Sequence, residues 1–128
     1  MEIGLSIRQP WTELILQGRK TIEVRTWPTK HRGRLLLHAA ARPDSAALKA
    51  FGLNRGEFVY GALVGECELY ECSEFTESTW ESLRQHHLNL GAFTRGQYAW
   101  LLRSSSRIGP ILFKGRLGLM RIETTDSR

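Results

Sequence analysis

GRKTIEVR, the sequence of residues 18–25, combines a turn glycine with charges of both signs on one short predicted strand. Side chains alternate along an extended chain, so Ile22 and Val24 are expected to point into the core. The opposite face then carries the polar side chains of Thr21, Glu23 and Arg25. Lys20 stands at the entrance to the strand, so the Glu23 carboxylate should lie between two cations. We therefore expect this strand to face a functional cleft.

The charges of this strand suit an anionic ligand. Arg25 presents a planar fork of five donors, and Lys20 is expected to be available to an anion from outside, such as phosphate. The alternative is an edge strand whose charges are solvated and pair across the strand. Such exposed pairs would contribute under about 1 kcal/mol to stability.

Both flanks of the strand contain arginine together with tryptophan, in LSIRQPW at residues 5–11 and in TWPTKHRGR at residues 26–34. Guanidinium groups beside exposed aromatic rings clamp phosphates and stack bases. Trp11 has a competing core role, because it also begins the apolar face of a predicted helix. The candidate nucleic-acid contacts are Arg8, Gln9, Trp11, Lys20, Arg25, Trp27, Arg32 and Arg34.

Three short helices are predicted from their terminal signals. Pro10 suits the first position of a helix that Gly18 ends with a left-handed cap. Asp44 reads as the N-cap of a second helix, and Gly52 ends it. Further along, a serine and a glutamate have the spacing of a capping box for a third helix, namely Ser78 and Glu81.

Apolar and alternating stretches predict strands around these helices. The predicted strands cover residues 3–8, 20–25, 33–40, 59–72, 97–102 and 108–122. The polar sequence RSSSR at residues 103–107 predicts a turn between the last two. His38, near the end of an apolar strand, is either a hydrogen-bonded core residue or a functional one.

The cysteines and histidines give no pattern of a metal site. Cys67 and Cys72 lie five residues apart in one predicted strand, so we expect them to face opposite sides as reduced thiols. Neither has zinc-ligand spacing to a second cysteine or a histidine. His86 and His87 are adjacent on a predicted helix and are expected to be solvent-exposed. We predict no structural metal and no cofactor.

Length and composition favour a single globular domain over residues 1–128. The hydrophobic content of 41% and the charged content of 24% are typical of such domains. No apolar run is long enough to cross a membrane, and residues 1–9 lack the pattern of a signal peptide. These features predict a cytoplasmic protein without a membrane partner.

The formal net charge of +5 is unevenly distributed. Residues 1–42 carry eight basic and three acidic side chains, residues 43–90 three and eight, and residues 91–128 seven and two. If the two basic ends share one sheet, their cations would add to one field that attracts polyanions, while the acidic middle faces elsewhere. The alternative is that the charge serves solubility alone.

Motifs along nearly the whole chain resemble the ASCH (activating signal cointegrator homology) family. They are LSIRQPW at residues 5–11, Gly18-x-Lys20-x-x-Glu23-x-Arg25-x-Trp27, Arg32-Gly33, LHA at 37–39, Gly61-Ala62-x-x-Gly65, QYAW at 97–100 and Lys114-Gly115-x-x-Gly118-Leu119. The family is related to PUA-type RNA-binding barrels. The resemblance implies an α+β fold, a small PUA-like mixed β-barrel of about five to six strands with short helices around the rim. It also implies a cleft lined by the strand at residues 20–25.

Three functions follow as hypotheses. The first is a nucleic-acid-binding domain, with RNA favoured over DNA, whose basic cleft holds a phosphate and one unstacked base. The second is a hydrolase acting on RNA or on a modified nucleoside, as in some ASCH relatives, with Glu23 as general base and Lys20 as charge stabiliser. In relatives that cleave acetylated cytidine a threonine stands at the position of Glu23, so that activity does not transfer directly. The third is a protein-interaction module in transcription regulation.

Overall fold

The computed structural model describes residues 2–123 and has a six-stranded mixed sheet at its centre. The strands are β1 (Glu2–Ile7), β2 (Ile22–Arg25), β3 (Gly33–Ala39), β4 (Ala62–Glu74), β5 (Tyr98–Leu112) and β6 (Leu119–Ile122). Their order is β2-β5-β4-β3-β1-β6, and β1 runs parallel to β3 while the other described pairs are antiparallel. The sheet is barrel-like but not closed.

Short helices cover the ends of this sheet. They are α1 (Trp11–Leu16), α2 (Ser45–Phe51), α3 (Glu77–Ser82) and α4 (Arg84–His87), with a 3₁₀ turn at Arg55–Glu57. The predicted α+β architecture is therefore confirmed, with six strands and short helices. Pro10 precedes α1 as its N-cap instead of taking the first helical position, whereas the other predicted terminal residues of the first two helices are confirmed. Asp44 accepts a hydrogen bond from the Ala47 amide, and Gly18 and Gly52 adopt positive φ at the two C-terminal ends.

The main core lies between the strands and α1. Its buried side chains are Leu5, Ile7, Ile15, Leu35, Leu37, Cys67, Leu69, Trp100 and Leu102. The alternation predicted for β2 holds, since Ile22 is buried in a second cluster against Trp80 and Ala99, and Val24 packs against the same cluster. This leaves the side chains of Glu23 and Arg25 for the other face of β2.

The predicted turn at residues 103–107 is wrong, because β5 continues through it to Leu112. Ser104 adopts a left-handed φ of 58°, and the register between β4 and β5 shifts at several points. Polar residues that favour a turn in isolation thus form an irregular stretch of the long antiparallel pair of β4 and β5. Pairing with the 13-residue strand β4 stabilises this stretch, and Arg103 contacts Glu68 across it at 3.1 Å.

The third helix also differs from the prediction. The capping box is formed by Thr76 and Thr79 instead of Ser78 and Glu81, so α3 begins two residues earlier than expected. The helix ends at Ser82, and α4 follows as a separate turn. His86 is exposed as predicted, but His87 is fully buried. Its ring stacks on that of Trp80, with the ring centroids 4.2 Å apart. Burial lowers the pKa of His87.

Cys67 and Cys72 do not face opposite sides as predicted. Both pack against the main core, because the β4–β5 register shifts between Leu69 and Glu71 and restores the inward orientation. Both thiols are free. Burial raises the pKa of the Cys67 thiol to about 12, so this group stays protonated and behaves as a small apolar side chain.

Candidate nucleic-acid interface

A cleft of about 1090 Å³ opens beside β2. One wall is built from β2 and the residues that follow it, and another from the end of β1 together with α1. The loop between β5 and β6, residues 113–118, forms a third wall. The polar and aromatic side chains that line the cleft are those of Ser6, Arg8, Trp11, Lys20, Glu23, Arg25, Thr26, Trp27, His38, Asn89, Gln97, Phe113, Lys114 and Arg116.

Glu23 lies between two cations on this wall, as the strand pattern predicts. One carboxylate oxygen, Oε2, accepts from the Arg25 guanidinium at 3.0–3.1 Å. The other, Oε1, lies 3.7 Å from the Lys20 ammonium. Glu23 is only 7% exposed, so these pairs are shielded from solvent and ordered by their surroundings.

Lys20 is buried rather than available to an outside anion, which corrects the expectation from the sequence. It is 2% exposed, and its Nζ donates to the His87 carbonyl at 2.5 Å and to Asn89 Oδ1 at 3.2 Å. The ammonium also lies 4.7 Å from the centroid of the Trp11 ring. Burial lowers the pKa of Lys20 to about 8, while the Glu23 carboxylate opposes this shift. Lys20 therefore helps to organise the cleft wall from within.

Arg25 reaches across the cleft floor. Besides pairing with Glu23, its Nη2 donates to the carbonyl oxygen of Ser6 at 3.0 Å and so links β2 to β1. Its side chain keeps 22% of its surface exposed. The guanidinium is thus fixed by protein contacts on one side and available to a ligand on the other.

The charged side chains that line the cleft are predominantly basic. Within residues 2–123 there are five cations and one carboxylate, namely Arg8, Lys20, Arg25, Lys114 and Arg116 with Glu23. Arg8, Lys114 and Arg116 are exposed. No carboxylate of the described part of the chain forms an ion pair with these three. The cleft therefore presents an uncompensated positive charge.

Arg32 and Arg34 lie outside this cleft, although the sequence places them among the candidate contacts. Arg32 pairs with Glu71 at 3.0 Å, and Arg34 pairs with Glu66 and Glu2. The two glutamates at positions 66 and 71 belong to β4, at the centre of the sheet. The acidic middle of the chain thus does not face away from the basic ends. It neutralises part of them, because β4 lies between β3 and β5.

Two tryptophans and a glutamine from the candidate list have defined structural contacts. Trp11 is half-buried, lines the cleft and donates from Nε1 to Asp44 at 2.9 Å. Trp27 is also half-buried in the cleft wall and packs edge-on against Trp100. Gln9 is 2% exposed and lies outside the cleft. Its Nε2 donates to the Val59 carbonyl oxygen, and its Oε1 accepts from the Glu13 amide in α1.

The loop of residues 113–118 is the part of the site that sequence reasoning missed. It brings Lys114 and Arg116 to the cleft, and Gly115 lies against His38 and Ser6. A Cβ at position 115 would lie 2.5 Å from the His38 ring, so only glycine fits this close approach. The sequence signal for this loop is the Lys114-Gly115-x-x-Gly118 pattern, which by itself does not show that the loop reaches the cleft.

His38 is a buried hydrogen-bonded residue that also lines the cleft. Its Nδ1 lies 2.9 Å from Ser6 Oγ, and its Nε2 lies 2.5 Å from the Phe113 carbonyl oxygen. Ser6 and His38 are direct partners in the parallel β1–β3 register. The two alternatives for His38, a core residue and a functional one, therefore both remain compatible with its position.

Among residues 2–123, no three side chains of the His, Cys, Asp or Glu type are placed to hold a metal ion together. None of the described helices has the length and apolar character needed to cross a membrane.

The curled mixed sheet with its short rim helices defines a small PUA-like α+β domain. A family model for the ASCH domain matches residues 5–109. The chain therefore belongs to the ASCH domain family, as its sequence motifs suggest.

Comparisons with known proteins agree with this assignment. The chain is 38% identical to human activating signal cointegrator 1 and 36% identical to the mouse protein, over 80 residues in each case. These alignments cover 53% of this chain but only 14% of those much longer proteins. In fold, it is similar to the crystal structure of ASCH from Zymomonas mobilis, with a TM-score of 0.70 at 18% identity over 95% of this chain and 87% of that one. A mutant of the same bacterial protein gives a TM-score of 0.69, with 95% and 90% covered.

Proposed function

We propose that this chain is an RNA-binding ASCH domain that holds a phosphate and an adjacent unstacked base in the cleft beside β2. The observation that carries the proposal is the distribution of charge. Arginines on the outer face of the sheet are paired with β4 glutamates, whereas Arg8, Lys114 and Arg116 at the cleft have no carboxylate partner within residues 2–123. Cations kept uncompensated in a concave site favour a polyanionic ligand.

The roles of the individual residues follow from their exposure. Arg25 offers the outer part of a fixed guanidinium to a phosphate, and Arg8, Lys114 and Arg116 supply further contacts around it. Trp27 offers a partly exposed ring at the cleft wall for stacking. Glu23 holds Arg25 in place from behind and is itself paired with the buried Lys20. Family membership favours RNA over DNA, because the related PUA-type barrels bind RNA.

The first test measures binding of a short RNA oligonucleotide. Arg25→Ala is expected to weaken binding by about 10-fold to 100-fold, since it removes charge-assisted hydrogen bonds to phosphate. Arg32→Ala is the matched control, because it removes the same charge from a side chain paired with Glu71 outside the cleft. Arg8→Ala should also weaken binding without disturbing an ion pair, so it covers the case in which Arg25→Ala lowers stability.

Salt dependence separates RNA binding from a protein-interaction role. Four phosphate contacts predict a slope of about −3 in a plot of log affinity against log salt for a single-stranded ligand. A flat salt response, or equal losses for Arg25→Ala and Arg32→Ala, would contradict the proposed cleft. Matched RNA and DNA oligonucleotides test the preference for RNA.

A hydrolase with Glu23 as base and Lys20 as charge stabiliser is a second candidate, since a lysine with a lowered pKa beside a carboxylate is common in active sites. Binding is favoured over it, because both side chains are buried and bonded to protein groups. Glu23→Gln separates the two functions. For a binding domain, RNA affinity should hold or rise, because a negative charge leaves the cleft. For the hydrolase, RNA or modified-nucleoside turnover should fall by about two to four orders of magnitude with affinity kept.

A further inference from the structure

Ser6 and His38 form a hydrogen-bonded pair in the cleft that RNA binding leaves unused. The Phe113 carbonyl can only accept a hydrogen bond, so the 2.5 Å contact requires His38 Nε2 to carry the proton. In the neutral ring Nδ1 is then an acceptor, and Ser6 Oγ must donate to it across 2.9 Å. A hydroxyl bonded to an imidazole whose other nitrogen is fixed by a third group is the arrangement that activates a serine nucleophile.

The surroundings of the pair suit a reaction in the cleft. Ser6 is half-buried and lines the cleft, whereas His38 is 1% exposed and held in one orientation. Arg25 Nη2 donates to the main-chain carbonyl oxygen of Ser6 at 3.0 Å, so a guanidinium is bonded to the same residue that carries the hydroxyl. The bare backbone of Gly115 closes over the pair, since a Cβ there would lie 3.0 Å from Ser6 Oγ.

We propose that Ser6 is the nucleophile and His38 the general base of an esterase site, which takes a carboxylic ester carried by a phosphate-bearing ligand. The phosphate requirement rests on the proposed binding function, because the cations of the cleft would hold it. An ester suits the site, since its alkoxide leaving group needs only the proton that His38 has just received.

The reaction balances with water as the second substrate. Ser6 Oγ bonds to the ester carbonyl carbon while its proton moves to His38 Nδ1. In this reaction Arg25 stabilises the negative oxygen, and Arg8, Lys114 and Arg116 hold the phosphate. The carbon–alkoxide bond then breaks, and the alkoxide takes the proton from His38. Water bonds to the acyl carbon as its proton passes to His38 Nδ1, the carbon–Oγ bond breaks, and His38 returns the proton to Ser6 Oγ, which releases the acid and restores the site.

A fluorophosphonate probe tests the nucleophile without knowledge of the natural ligand. Oγ bonds to phosphorus, the phosphorus–fluorine bond breaks, and fluoride leaves as the proton passes to His38. Mass spectrometry of the folded chain of residues 1–128 is expected to show one label on Ser6 and none on the exposed Ser73. Ser6→Ala should abolish labelling, and His38→Gln should slow it by about 100-fold or more. Acetate release from an O-acetylated nucleoside monophosphate should fall in parallel.

Absence of a label on Ser6, or the same labelling rate in folded His38→Gln, would overturn the proposal. If His38→Gln does not fold, the labelling rate of Ser6 is compared between the native wild-type chain and the same chain unfolded in urea. The proposal requires the native rate to be about 100-fold higher, and equal rates would contradict it. RNA binding of the wild-type chain is measured on the same preparation as the labelling. A chain that binds RNA but is not labelled therefore refutes the esterase site alone, and a chain that is labelled but does not bind RNA refutes the binding function alone.

Discussion

Replacing Glu23 with alanine is expected to destabilise the fold by about 3–5 kcal/mol, more than any surface charge change in this chain. The substitution leaves Lys20, which is 2% exposed, without the carboxylate that offsets its desolvation. It also removes the group that holds the Arg25 guanidinium on the cleft wall. Urea unfolding at neutral pH, monitored by tryptophan fluorescence, measures the loss as a change in the free energy of unfolding.

Glu71→Ala is the matched control for this experiment. It removes a carboxylate that also pairs with an arginine at 3.0 Å, but the Glu71 and Arg32 side chains are 57% and 39% exposed. The expected loss is under about 1 kcal/mol. A loss for Glu23→Ala that is no larger than for Glu71→Ala would mean that water reaches the Lys20 ammonium and that its burial does not depend on Glu23.

The second large effect is a dependence of stability on alkaline pH. The pKa of Lys20 is lowered from 10.5 to about 8 in the folded chain, mainly by burial. Between these two values the unfolded chain binds the proton and the folded chain does not, so the contribution of Lys20 to stability rises with pH. It is fully present above the unfolded pKa and is lost as the pH falls through about 8. The expected gain is about 3 kcal/mol over this window.

Lys20→Met isolates this contribution. Other groups, including the Cys67 thiol, titrate in both proteins. Their contributions to the pH dependence therefore cancel to first order when the unfolding free energy of the variant is subtracted from that of the wild type. That difference should shift in favour of the wild type as the pH rises from 7 to about 10.5. A difference that stays constant over this range would show that the Lys20 pKa is not lowered in the folded chain.

Local patterns in the sequence were sufficient for the parts of the site that depend on neighbours in the chain. Alternation along β2 placed Glu23 between Lys20 and Arg25, and the terminal residues of α1 and α2 were recognised from their chemistry. The burial of Lys20 could not be foreseen in this way. Its hydrogen-bond partners, the His87 carbonyl and Asn89, lie 67 and 69 residues further along the chain.

The remaining predictions were wrong because contacts between residues far apart in the chain override the local pattern. The RSSSR sequence favours a turn by itself, but pairing with β4 extends it into a strand. Arg32 and Arg34 have the residue type of a ligand contact, but β4 provides a glutamate partner for each. Lys114 and Arg116 reach the cleft because the β5–β6 connection folds back over β1 and β3. None of these contacts is encoded in a window of a few residues.

The glutamates of β4 also determine how the molecule meets a polyanion in solution. Because they neutralise Arg32, Arg34 and Arg103 on one side, the excess positive charge of the described chain is displaced toward the cleft. Such a separation gives the molecule an electric dipole moment, which turns the cleft toward an approaching nucleic acid before contact. Encounters with the neutralised face become less frequent, so the arrangement raises the association rate at low ionic strength with little effect on dissociation.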